Sequence, residues 1–166
     1  MKTNLNKIIT NKYILWGLGF YQVFAGIFGF YLVFQQSFMY IFRNFLFFTI
    51  ILGLFFLSII SGFYLLKKEK KIGINLSLLN QILQLLQFKI LGFGFYYVAG
   101  CYLGIGFTDT PEIKFLFKDS LFRSSCFISF KTSDYEISII LNIVALALVI
   151  FLSKLKNLNL KTADKE

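Results

Sequence analysis

The sequence predicts a membrane α+β protein: four transmembrane helices with both termini inside, and a small antiparallel β-sheet inserted between helices 3 and 4 on the outer side. Three features carry this. Long stretches hold no charge, basic residues sit in alternate segments, and one central stretch alternates glycine with aromatic residues. The chain of 166 residues reads as a single domain, 57% hydrophobic and 15% charged, where soluble domains carry about 25% charge. Apolar residues gathered into uncharged runs mark membrane helices rather than a large soluble core.

Charge placement sets the topology. The formal charge is +9. Lys2, Lys7 and Lys12 precede an uncharged run from Tyr13 to Phe42, and Arg43 is then the only charge before Lys67-Lys68-Glu69-Lys70-Lys71. Residues 72–88 and 137–153 are uncharged, residues 89–136 carry five basic and five acidic groups, and the tail from Lys154 is basic. Basic residues beside spans mark the cytoplasmic side, so the N-terminus, the KKEKK loop and the C-terminus are expected inside. The 35–43 and 89–136 connections are then outside. The expected location is the inner (cytoplasmic) membrane of a bacterial cell, with the lipid bilayer as partner. No nucleic-acid partner is expected, because the basic residues form no domain of their own.

The first span is read as residues 13–34. A secretory signal has an apolar region of only about 7–15 residues, and this run is longer, so it is expected to stay as an anchor. Gly19, Gln22, Gly26 and Gly29 fall on one helical face. Small residues at that spacing let a second backbone approach, here another helix of the chain or, in the sharper reading, a homodimer seam. The second span, residues 45–66, supplies Gly53, Ser58, Ser61 and Gly62, and stops at Lys67-Lys68.

The third span, residues 72–88, carries Ser77, Asn80, Gln84 and Gln87 as a polar stripe on one face. Amides in hydrocarbon need partners, so this face is expected to point into the bundle. Two readings follow. In the first, the amides bond to neighbouring helices, with Gln22 and Asn142 as candidates, at about 0.6–2 kcal/mol each. In the second, Gln22, Asn80, Gln84, Gln87 and Asn142 line a polar path for a neutral or anionic solute. The spans hold no titratable group of the kind that builds proton relays.

Residues 89–131 are read as the extracytoplasmic β insert. A helix continuing from Ile72 to Phe107 would run about 54 Å, far beyond the membrane core, and would carry five glycines after Phe88. Period-two alternation favours strands: Leu91, Phe93, Phe95 and Tyr97 on one face, Gly92, Gly94 and Tyr96 on the other. A hairpin loop at Val98-Ala99-Gly100 would set Gly94 against Gly104 and Gly92 against Gly106. A second turn is expected at Thr108-Asp109-Thr110-Pro111 and a third at Asp119-Ser120. The resulting sheet has one aromatic face, expected to cover the outer end of the bundle, and one face of Gly, Lys, Ser and Arg123. Gly92, Gly94, Gly104 and Gly106 are the candidate partner surface. Cys101 and Cys126 both fall on the aromatic face and are expected to be free buried thiols. The fourth span is read as residues 137–153, ending at Lys154, with a short solvated tail from Lys161.

The chain has no His, and its charged groups are placed in loops or on the sheet. No catalytic residue, metal or cofactor is therefore expected, and the chain is read as a non-enzyme. The function expected is that of an envelope accessory or interaction subunit, with a protein partner bound through the edge or the glycine face of the sheet, and a homodimer as the other partner possibility. A small channel or carrier along the amide stripe is the alternative.

Overall fold

A computed structural model describes residues 12–35, 45–67, 70–109, 112–130 and 137–163. The basic N-terminal segment with Lys2 and Lys7, the connection containing Arg43, Lys68 and Glu69, Thr110-Pro111, residues 131–136 and residues 164–166 lie outside the described residues.

Two helices match their expected bounds. Helix α1 spans Lys12–Phe34 and helix α2 Phe45–Leu66. Both are long and apolar enough to cross a membrane, and no other described helix is. They lie tightly together because their contacts are small. A Cβ on Gly19 would come within 2.9 Å of the Gly62 carbonyl oxygen, and one on Gly26 within 2.9 Å of the Phe55 carbonyl oxygen. The small-residue face of α1 is therefore covered by α2 of the same chain.

The third and fourth expected spans need correction. Helix α3 runs from Lys70 to Leu85, and residues 86–90 leave it to form strand β1 (Leu86–Ile90). The end of the expected 72–88 span is thus strand. The expected 137–153 span begins with strand β4 (Ser138–Asn142), and helix α4 covers Ile143–Ala163. It contains Lys154 and runs on through Lys161, where a frayed tail was expected. The described residues hold four helices and a four-stranded antiparallel sheet, with two helices of membrane-spanning character instead of four. The cause is local. At each inner border of the β region an apolar run is shared between a helix and a strand, and an uncharged run does not show where the change falls.

At one end, all four helices meet. Leu15 and Leu18 of α1, Leu65 of α2, Ile74 of α3 and Leu152 and Leu155 of α4 form one buried cluster. At the other end the sheet takes the place of α3 and α4: Phe95, Tyr97, Ala99 and Cys126 pack on Ala25 and Val33 of α1 and Phe55 of α2. Phe95, Tyr97 and Cys126 of the aromatic face cover the helices there, whereas Ile113, Phe115 and Phe117, expected on the same face, stay exposed.

The sheet itself is built from β1, β2 (Phe93–Asp109), β3 (Ile113–Phe130) and β4 in the order β1-β4-β2-β3, with β1 also paired to β2. Leu91 and Gly92 join β1 to β2 with φ of 48° and 83°, the double positive φ of a two-residue hairpin turn. Strand β1 pairs antiparallel with the start of β2 and with β4, while β4 pairs antiparallel with the end of β2. The two halves of β2 must then run in opposite senses, so the strand doubles back. The reversal falls at Gly100, with φ of 111°, where the β2–β3 register shifts between Gly100 and Tyr102. A Cβ on Gly100 would also collide with the Tyr21 ring.

The expected hairpin at Val98-Ala99-Gly100 is therefore replaced by a fold-over. Gly94 pairs with Ser129 and Gly104 with Lys118, because β3 follows β2 through the bend and takes its edge. Asp119-Ser120 is no turn: both residues lie within β3, paired with Leu103 and Tyr102. Of the turn expected at residues 108–111, Thr108 and Asp109 belong to β2 and pair with Lys114 and Ile113, while Thr110-Pro111 lie outside the described residues.

Candidate binding pocket and the buried amide stripe

Helix α3 presents Ser77, Asn80, Gln84 and Gln87 to the interior, the last from the start of β1, and all four are at most 1% exposed. Their partners come from three directions. Ser61 and Ser77 both donate to the Gln22 amide oxygen, at 2.8 and 2.9 Å, tying α1, α2 and α3 together. Ser58 donates to the Gln22 carbonyl oxygen at 3.0 Å and accepts from the Asn80 amide at 3.3 Å. The Tyr97 hydroxyl lies 2.9 Å from Asn80 Oδ1 and 2.8 Å from the Leu54 carbonyl oxygen. Gln84 Oε1 accepts from the Ala99 backbone N–H at 2.8 Å, and Gln87 Oε1 from the Tyr102 hydroxyl at 2.8 Å.

Of the five residues of the expected polar path, Gln22 and Asn80 meet through Ser58. Gln84 and Gln87 each hold the sheet instead of a helix. Asn142 stands apart as the cap of α4: its Oδ1 accepts from the N–H groups of Val144 and Ala145 at 3.1 and 3.3 Å. It also faces the Leu103 N–H at 3.5 Å. The stripe thus works as a joint between helices and sheet. Tyr97, Tyr102 and the two α2 serines complete it. The tyrosines belong to the aromatic pattern and gave no separate signal.

The four glycines of the candidate partner surface are covered by the chain itself. Gly92, Gly94 and Gly104 are buried and Gly106 is half-buried. A Cβ on Gly106 would strike the backbone of Ile139, and one on Gly104 would strike the Tyr102 hydroxyl. The fold-over of β2 turns this face inward and lays β4 across it.

The same fold-over creates a pocket of about 280 Å³ on the glycine face. It is lined by Gln87 and Lys89 of β1, Gly94 and Tyr96 of β2, Lys118, Arg123 and Ser125 of β3 and Ser138 of β4, with Phe88, Phe95, Phe127 and Ile140 as apolar wall. The Arg123 guanidinium lies 5.5 Å from the centre of the Tyr96 ring, a cation–π distance. Burial raises the Tyr96 phenol above its ordinary range, so it stays protonated at neutral pH. Two polar atoms of the lining make no hydrogen bond of ordinary length: Gln87 Nε2 and the Tyr96 hydroxyl. Lys118 and Arg123 were legible as polar-face residues, but their convergence with Lys89 needs the bend.

Cys101 and Cys126 are free thiols, half-buried where full burial was expected. Among the described residues no group of three or more His, Cys, Asp or Glu side chains is placed to hold a metal ion. Comparison with protein-family models, with curated proteins and with solved structures gives no match. By its fold the chain is an α+β protein with two helices of membrane-spanning length and composition.

Proposed function

We propose that the chain is a non-enzymatic, multi-pass protein of the inner (cytoplasmic) membrane, acting as an envelope accessory or interaction subunit. In this reading α1 and α2 cross the bilayer outright. The segments α3–β1 and β4–α4 cross beside them, with the basic ends and both termini in the cytoplasm. Charge supports the orientation: the four-helix cluster lies at the end where Lys67, Lys71, Lys154 and Lys156 stand.

One observation carries the interaction role. Among the described residues β3 is hydrogen-bonded along one side only, to β2, and its other edge is open. That edge runs at the level of the middle of α1, where Ser124 donates to the Ala25 carbonyl oxygen at 2.8 Å and the Phe122 ring lies 5.5 Å from that of Phe28, tilted by 56°. An open strand edge presents unpaired backbone N–H and C=O groups that another chain can pair with, so this edge is suited to protein cover. Leu121, 93% exposed, and Phe115 and Phe117 beside it offer apolar contacts for the same partner, a second copy or another membrane protein.

A photo-crosslinking residue at position 121 tests this in intact membranes. The expected result is a discrete adduct of fixed mass, either twice the chain or the chain plus one partner. The same residue at Phe24, which also faces outward, should give only lipid adducts. Lipid adducts alone from position 121 would remove the proposal. The channel alternative rests on the NH₂ groups of Gln22, Gln84, Gln87 and Asn142, which are buried without a partner, while their amide oxygens are engaged within the fold.

A further inference from the structure

We infer that the pocket enclosed by β1, β2, β3 and β4 is a binding site for a phosphate group. Its described lining holds the cationic side chains of Lys118 and Arg123, with Lys89 beside them engaged in a contact of its own, and no carboxylate. Like charges converging on one concavity raise the local potential and favour an anion inside it.

The neutral groups point the same way. Gln87 is 1% exposed, and its amide oxygen already accepts the Tyr102 hydroxyl at 2.8 Å. The NH₂ group is what remains, buried and without a partner. The Tyr96 phenol adds a buried hydroxyl, kept protonated by burial, beside the Tyr102 hydroxyl. Ser125 and Ser138 complete a ring of donors. A buried donor left unmade is costly, so a site offering several of them together fits a ligand rich in acceptors. A cation finds no oxygen cage here, and an apolar ligand would leave the donors unmet.

Phosphate suits the set better than a carboxylate. It presents several oxygens to donors arriving from four strands, and Arg123, held over the Tyr96 ring, is the residue type that grips it bidentately. The volume of about 280 Å³ accepts a phosphate with a small substituent. The apolar wall of Phe88, Phe95, Phe127 and Ile140 lowers the local polarity and strengthens each contact. Free phosphate and an anionic phospholipid headgroup share this chemistry.

The test uses the full chain purified in a neutral detergent, with binding read by native mass spectrometry and by the shift in melting temperature. Inorganic phosphate is one probe. Phosphatidylglycerol, against phosphatidylcholine, is the other. The expected result is a single bound equivalent of one probe, with Arg123→Gln and Lys118→Gln each weakening it at least tenfold. Lys71→Gln, at an exposed position on α3 outside the pocket, should leave it unchanged, and Arg123→Lys should retain part of it. Binding of free phosphate identifies a soluble ligand, and binding of phosphatidylglycerol alone identifies a headgroup. Lys118 and Arg123 are both exposed, so both variants are expected to fold. Failure of both probes to bind, or equal weakening by Lys71→Gln, would overturn the inference.

Discussion

Tyr97 places one hydroxyl between two acceptors, Asn80 Oδ1 on α3 and the Leu54 carbonyl oxygen on α2, while its ring packs edge-on against Phe55 at 5.6 Å. Tyr97→Phe keeps the ring and removes only the hydrogen bonds. Leaving a buried acceptor unmet costs about 1–3 kcal/mol, so thermal unfolding in detergent should show a lowered midpoint. The Asn80→Leu, Tyr97→Phe double variant should lose less than the two single variants summed, because the pair shares one bond. Leu91 offers the opposite sign. It holds φ of 48° in the β1–β2 turn with 73% of its surface exposed. Asn tolerates that conformation and Leu does not, so Leu91→Asn should raise the same midpoint, by roughly 0.5–1 kcal/mol in stability. An unchanged or lowered midpoint would show that Leu91 contributes through a contact of its side chain.

At the scale of elements, two interfaces decide the architecture. The α1–α2 contact depends on absent side chains: a Cβ on Gly26 meets the Phe55 carbonyl oxygen at 2.9 Å and Ile59 Cγ1 at 2.6 Å. Gly26→Leu should therefore force the helices apart and cost about 1–3 kcal/mol. Gly53→Leu, at a position with nothing within 4 Å, should cost much less. Comparing the two by melting temperature checks the contact directly. The sheet shows what a sequence can reveal of such elements. Its two faces were legible, because side-chain period two survives any pairing. Phe95, Tyr97 and Cys126 do share the helix-covering face, and Lys118, Arg123 and Ser125 the other. The pairing was not legible. Matching Gly94 to Gly104 across a local loop satisfied both faces, yet β3 competes for the same edge and keeps its bonds through the bend. A non-local strand outbid a local turn, and no residue near Gly100 announces that. The helix–strand borders at Leu85 and Asn142 failed for a related reason: apolar character was used as a sign of helix, where β1 and β4 are apolar strands.

For the molecule as a whole, polarity along the long axis of the helices organises everything. Lys67, Lys71, Lys154 and Lys156 and the four-helix cluster occupy one end, and the sheet, with its own Lys89, Lys118 and Arg123, leans on α1 and α2 at the other. The candidate sites divide accordingly. The amide stripe holds sheet to helices: Ser77, Asn80 and Gln84 were legible as a buried face of α3, whereas Gln87 lies on β1 and the buried Gln81 was not read as part of it. The basic pocket and the open β3 edge were hidden, since each requires the doubling back of β2. The sheet docks along the middle of α1 instead of standing clear of the helices. Cysteines introduced as Ala25→Cys and Ser124→Cys, in a chain whose Cys101 and Cys126 are replaced by Ser, measure it. The Ser124 hydroxyl lies 2.8 Å from the Ala25 carbonyl oxygen. A short thiol crosslinker applied to native membranes should join the two sites within one chain, read as a faster-migrating monomer on a non-reducing gel. A control pair with Tyr13→Cys, near the far end of α1, should stay unjoined. Absence of the intramolecular link in folded protein, or equal linking by the control pair, would contradict the account.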